Sequence, residues 1–308
     1  MNLQYVRHEH PDPQRKRLYR RAILTAIAGN FLLAVGKGAA AQISGSSAIF
    51  SDASNSLADV LYSMLMAVGL YFAQQPADDS HPQGHSRFEP LVSLFITIMM
   101  AAAGFTALHE SINRFLSGAT AIDLGWPTAA LIGSMLVKVV MYSLVKRIGH
   151  QADSPAIRAS ARDNLIDILT SGAALVGVCS SSLIHPLLDP VAGVVVSLWI
   201  FRTVWEILYE NLGYLTGRGA SSENTALIIA AAASVEGVLG VHQVIADHVG
   251  PKLRVDIHID VSECLSLHQA HAIADQVQVQ IEALSMVDLA FIHVEPTAAP
   301  PQLPDNEE

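Results

Sequence analysis

Over its first two-thirds the chain alternates long apolar blocks with short polar connections. The blocks run over about 22–43, 47–73, 90–115, 126–146, 157–184 and 189–210, each near the ~20 residues that cross a hydrocarbon core. This pattern predicts six membrane helices. After about residue 211 the pattern shortens, and the Gly- and Ser-rich stretch "GYLTGRGASSE" reads as a domain boundary. Beyond it come a helical run "SENTALIIAAAASV", two strand-like runs "GVHQVIADHV" and "KLRVDIHIDV" joined by "GP", a helical "SLHQAHAIADQVQVQIEAL" opened by a Ser cap, and a last strand "VDLAFIHVEP". The expected fold is a membrane all-α bundle of six transmembrane helices followed by a small α+β domain of order α-β-β-α-β. The expected divisions are a cytoplasmic N-terminal segment at 1–21, the six-span domain at 22–210, a cytoplasmic metal-binding domain at 211–296 and a disordered tail at 297–308.

Composition agrees with a membrane protein: of 308 residues, 51% are hydrophobic and only 15% charged, too apolar for an ordinary soluble domain. The net charge of −10 says little about orientation, because acidic residues weigh lightly in the positive-inside rule. Basic residues do set it. "SGSS", "LSGATAIDLGWP" and "SSLIHPLLDP" contain no Lys or Arg, whereas the N-terminus, "DSHPQGHSRFE", "KRIGHQADSPAIR" and the tail do, so both termini are expected in the cytoplasm. The N-terminal segment has a basic cluster and no cleavage pattern, which makes the first apolar block a retained span. Cys179 and Cys264 have neither zinc-site spacing nor the number of a disulfide framework. No HExxH, GxSxG or activated nucleophile arrangement is present, so an enzyme is not expected.

The chemistry lies where charges interrupt the apolar blocks. In "RDNLID", Asp163 and Asp167 are four residues apart at the head of the fifth span, and in "SDASNSLAD", Asn55 and Asp59 repeat that spacing in the second. An i,i+4 pair stacks on one helix face, and two such helices can enclose one ion with four ligands. Intramembrane acids are costly and usually functional. Asn55, Asp59, Asp163 and Asp167 therefore form the expected cage, with Asp52 one turn before Asn55. Lys37 and Lys138 also lie inside apolar blocks, and pairing with an acid is the expected use of each.

These motifs resemble the cation diffusion facilitators, a family that exports divalent metals in exchange for protons. The resemblance covers nearly the whole chain and rests on the six spans, "SDASNSLAD", "ARDNLID", "QPADDSHPQGHSRFE" and a tail with "IHID", "QAHAIAD" and "IHVEP". In the family's zinc transporters one of the four ligands is typically a His in an HxxxD pair; here the pairs are NxxxD and DxxxD, as in its manganese-type members. The chemistry agrees, since imidazole suits Zn²⁺ while carboxylate and amide oxygens suit harder cations such as Mn²⁺, and Mg²⁺ gives up water reluctantly.

The expected function is thus Mn²⁺ export by proton-coupled alternating access, with Zn²⁺, Fe²⁺, Co²⁺ or Cd²⁺ efflux as the alternative and a metal sensor without transport as the reading from another class. Metal and protons compete for Asp59, Asp163 and Asp167, since Asn55 does not titrate. The transported metal is cargo, and no catalytic cofactor is expected. The resemblance also implies a peripheral metal site at Asp78, His81 and His85, a tail site at His242, His258, His271, His293 and Glu295, and a homodimer. Alternation in "RVDIHID" places Asp256, His258 and Asp260 on one strand face. The expected setting is a bacterial-type cytoplasmic membrane, with lipid, divalent ions and protons as partners and no nucleic acid.

Overall fold

The computed structural model describes residues 13–44, 47–117, 126–183 and 187–298. The chain divides into two compact units, Met1–Leu212 and Gly213–Glu308. The expected disordered tail lies outside the described residues from 299 onward.

The first unit is built from six helices: α1 (Pro13–Ser44), α2 (Ser47–Ala73), α3 (Phe88–Leu116), α4 (Trp126–Gln151), α5 (Pro155–Leu183) and α6 (Leu188–Leu215). Each has 26 to 32 residues, enough at about 1.5 Å per residue to exceed a ~30 Å hydrocarbon core. Among the described residues, Pro13–Ile43, Ala53–Ala73, Phe88–Leu116 and Pro190–Leu215 are each long and apolar enough to cross a membrane. Helix α1 starts well before the apolar block that announced it, because "PQRKRLYRR" has good helix formers and no breaker after Pro13.

Burial is inverted relative to a water-soluble bundle. Large apolar side chains such as Phe31, Leu61, Phe105 and Leu198 face outward, while Ala22, Ala26, Ala156, Ala159, Ser93 and Ser197 are buried. Small residues let membrane helices approach closely, where lipid leaves no hydrophobic drive between them. One buried polar knot ties α1 to α3: Glu89, 1% exposed, receives the Tyr19 hydroxyl at 2.5 Å and the Arg15 guanidinium at 3.1 Å. Helices α4 and α5 join through a tight turn in which Asp153 adopts φ 46 and the Ser154 Oγ accepts the Ile157 backbone N–H, with Pro155 at the first helical position.

The second unit contains α7 (Ser222–Ala233), β1 (Gly240–Val249), β2 (Lys252–Ser262), α8 (Leu267–Glu282) and β3 (Val287–Thr297). Ser221 caps α7, and Ser266 with Gln269 closes a capping box on α8. The sheet order is β1-β2-β3, antiparallel then parallel. Gly250, at φ 72, gives the β1–β2 connection the left-handed backbone it needs. Strict alternation along β2 buries Leu253, Val255, Ile257, Ile259 and Val261 in one core with Val277 and Ile281 of α8, and leaves Arg254, Asp256, His258 and Asp260 on the opposite face.

Candidate metal centres

The buried acidic place in the helical unit is assembled by α2, α4 and α5. Asp59 and Asp167 both reach Lys138, whose Nζ lies 2.8 Å from Asp59 Oδ2 and 2.6 Å from Asp167 Oδ2. Asp163, one turn before Asp167 on α5, shares with Asp59 the lining of a cavity of about 20 Å³, together with Asn30, Tyr62, Ser63, Ser160 and Asn164. A site needs about 10–15 Å³ to hold one water, so a single stripped ion fits here and a fully hydrated one does not. No imidazole or thiolate lines the cavity.

The structure therefore brings Asp59, Asp163 and Asp167 into one neighbourhood and inserts a cation among them. Asn55 stands apart. It lies a turn nearer the start of α2, its side chain is exposed, and it is not among the residues lining the cavity. The side chain of Asp52 lies outside the described residues. Lys138 pairs with acids, the use expected of it, and the structure names them as Asp59 and Asp167. One participant escapes the sequence reading. Asn30 was passed over, although a lone amide inside "AILTAIAGNFLLAV" is the signal that would have found it. Asn30 Nδ2 donates to Ser63 Oγ at 2.9 Å and to the Asp59 carbonyl at 3.3 Å, while its buried Oδ1 has no hydrogen-bonding partner.

The second candidate lies in the α2–α3 connection. The ligand atoms of Asp78, His81 and His85 all fall within 4.8 Å of one another. Asp78 Oδ1 accepts the backbone N–H groups of Ser80 and His81 at 2.9 and 2.7 Å, an Asx turn that brings the carboxylate back over the loop. The His81 N–H chiefly, helped by His85, Ser80 and the His81 ring, holds the Asp78 carboxyl below its ordinary range. His85 is buried, with Nδ1 3.0 Å from the Pro76 carbonyl. A carbonyl only accepts, so Nδ1 carries a hydrogen, and Nε2, 3.5 Å from Asp78 Oδ2, is the ring nitrogen turned toward the carboxylate.

The third lies on the open face of the sheet. Register sets His258 beside His293 and Asp260 beside Glu295, and the irregularity between Val241 and Gln243 turns His242 toward them. Glu295 Oε1 is the hub, 3.2 Å from His258 Nδ1, 3.4 Å from His242 Nε2 and 3.7 Å from His293 Nε2. Hydrogen bonding from His258, with His242 and His293 nearby, holds the Glu295 carboxyl below its ordinary range. Asp260, placed on this face but not assigned to the site by the sequence, contacts His242 Nδ1 at 3.0 Å. His271 does not join within this chain. It sits on α8, which packs against the buried face of β2, and pairs instead with Asp275 at 3.6 Å.

The cation efflux transmembrane domain matches residues 23–216, and the cytoplasmic domain of cation efflux proteins matches residues 220–297. An uncharacterized transporter of Methanocaldococcus jannaschii is 31% identical over 279 residues, covering 89% of this chain and 97% of its own length. The manganese efflux system protein MneS of Bacillus subtilis is 26% identical over 276 residues, covering 89% of this chain and 94% of its own. A solved MamM C-terminal domain is 28% identical, covering 24% of this chain and 96% of its own at a TM-score of 0.24. The chain belongs to the cation diffusion facilitator family. It is a membrane-embedded transporter of divalent metal cations, not an enzyme.

Proposed function

We propose that this transporter exports Mn²⁺ in exchange for protons, with Asp59, Asp163 and Asp167 as the transport site and Asn55, a turn away on α2, joining it only when the spans rock. The observation that carries the reading is the convergence of Asp59 and Asp163 on one small cavity, and of Asp59 and Asp167 on one ammonium, in a lining whose polar groups are carboxylates, amides and hydroxyls, with the thioethers of Met66 and Met99 and no imidazole or thiolate among the described residues. Oxygen-only sites suit harder divalent ions, and Mn²⁺ is held less tightly than Zn²⁺ by nitrogen-bearing sites. The manganese efflux named for the B. subtilis relative supports the same choice.

Among Asp59, Asp163 and Asp167, a carboxylate left without a cation when the metal leaves takes a proton and loses it when the metal binds, so one set of groups couples the two flows. Rocking of the spans exposes the site to each side in turn. All six helices cross a bacterial-type cytoplasmic membrane and both termini are cytoplasmic. Asp78, His81 and His85 form a peripheral site, and His242, His258, His293 and Glu295, joined by His271 across a homodimer, form a tail site that biases the transport equilibrium. The test is Mn²⁺ flux into sealed proteoliposomes loaded with a pH dye. Coupled antiport predicts that Mn²⁺ entry drives protons out and that dissipating the proton gradient slows uptake. Mn²⁺ entry with no proton movement overturns the coupling.

A further inference from the structure

Lys138 projects from α4, which supplies no acid to the cluster, yet the residue is only 5% exposed and its ammonium bridges carboxylates from α2 and α5. A hard dication bound by Asp59 and Asp167 would lie about 2.0–2.6 Å from their oxygens. The Lys138 Nζ, at 2.8 and 2.6 Å from those oxygens, occupies that same place. The two cations exclude each other. Lysine is suited to such a part, being a compact charge on a flexible four-carbon stem that can withdraw without the helix moving.

We propose that Lys138 is a tethered competitor for the transported metal: its ammonium holds the carboxylates together in the metal-free protein, and a dication binds by displacing it. The inference rests on the transport site proposed above. The displaced ammonium stays attached to α4 beside the site, so it also promotes release when the site reopens. Affinity is thereby kept weak enough for the ion to leave, which a buried cluster of three acids alone would hinder. A lysine that served only as a strut between α2, α4 and α5 would act differently, since its removal would loosen the site and weaken binding.

The experiment compares initial Mn²⁺ uptake by the full chain in proteoliposomes for wild type, Lys138→Met, Lys138→Gln, Lys138→Arg and Asp163→Ala, with reconstituted protein quantified in each. Removal of the competitor should lower KM for Mn²⁺ by about tenfold, the low end of the coupling between close charge pairs, and should lower kcat through slower release. Lys138→Arg keeps the charge and should return KM toward wild type. Equilibrium Mn²⁺ binding to detergent-purified protein, taken as the difference from Asp163→Ala, gives the affinity where a variant turns over too slowly to measure, and should tighten to a similar extent. An unchanged or raised KM, or unchanged or weaker binding, in folded Lys138→Met and Lys138→Gln overturns the competitor role. Wild-type flux from Asp163→Ala overturns the transport site itself, so the two failures are separable.

Discussion

Asn30 of α1 donates to Ser63 of α2 at 2.9 Å and to the Asp59 carbonyl at 3.3 Å, fixing its amide nitrogen and leaving Oδ1 as a buried acceptor beside the acidic cavity. A buried acceptor with no donor is costly, and a cation or its remaining water would satisfy it. Asn30→Ala should therefore weaken Mn²⁺ affinity several-fold while reducing stability by only about 1–3 kcal/mol, the usual worth of two hydrogen bonds. Initial rates against Mn²⁺ concentration, paired with thermal unfolding in detergent, check both. An unaltered KM with a large loss of stability would make Asn30 a packing residue alone.

Asp59→Ala and Asp163→Ala should each reduce Mn²⁺ flux to the level of protein-free vesicles while leaving folded protein in the membrane. Loss of one of three ionisable ligands disables a site built on carboxylates, and charge burial is relieved rather than created at Asp163. At Asp59 the change frees one carboxylate partner of Lys138, which keeps Asp167 at 2.6 Å. Wild-type flux from either variant would remove the transport site from these residues.

Changing His258 and His293 together to Ala should lower metal binding by the sheet-face cluster and leave measurable transport. The two side chains account for two of the three imidazoles around Glu295 Oε1, whereas the proposed transport site lies in the helical unit. A ligand at the tail shifts transport only as far as it discriminates between the states of the pump. Complete loss of flux with intact binding at the helical site would make the tail obligatory.

The sheet-face cluster also has a pH signature. Glu295 lies below the ordinary glutamate range because His258, then His242 and His293, favour its ionised form. A depressed folded value means that the stabilisation is present above the unfolded glutamate value and is lost as pH falls through the folded one. Carboxyl NMR of the metal-free protein should show Glu295 titrating below an ordinary Glu, and His258→Ala should move it upward toward that range. Titration at the ordinary position in the wild type would contradict the cluster's geometry.

Much of this was legible because it depends on period. Strict alternation in "KLRVDIHIDV" marked β2 and sorted Ile257 from His258, and the Ser266 cap announced the start of α8. Spacing of four likewise put Asp163 and Asp167 on one face of α5. Spacing within a helix does not determine what stands opposite, however. The partner of Asp59 and Asp167 comes from α4, far away in sequence, and the amide above the cavity comes from α1. For the same reason Asn55 and His271 looked equivalent to their neighbours until the neighbouring elements were placed: Asn55 is exposed a turn away from the cavity, and α8 holds His271 on the other side of the sheet from His258.

The central claim is that an all-oxygen transport site selects Mn²⁺ over Zn²⁺, and the most direct measurement is the ratio of initial uptake rates for the two metals in proteoliposomes with an imposed proton gradient, for wild type and Asp163→His. An imidazole strengthens binding to Zn²⁺ more than to Mn²⁺. The wild type should favour Mn²⁺, and Asp163→His should shift the ratio toward Zn²⁺ by about tenfold or more, equivalent to ~1.4 kcal/mol of relative affinity. A wild type that already prefers Zn²⁺, with a ratio that Asp163→His does not move, would contradict the account.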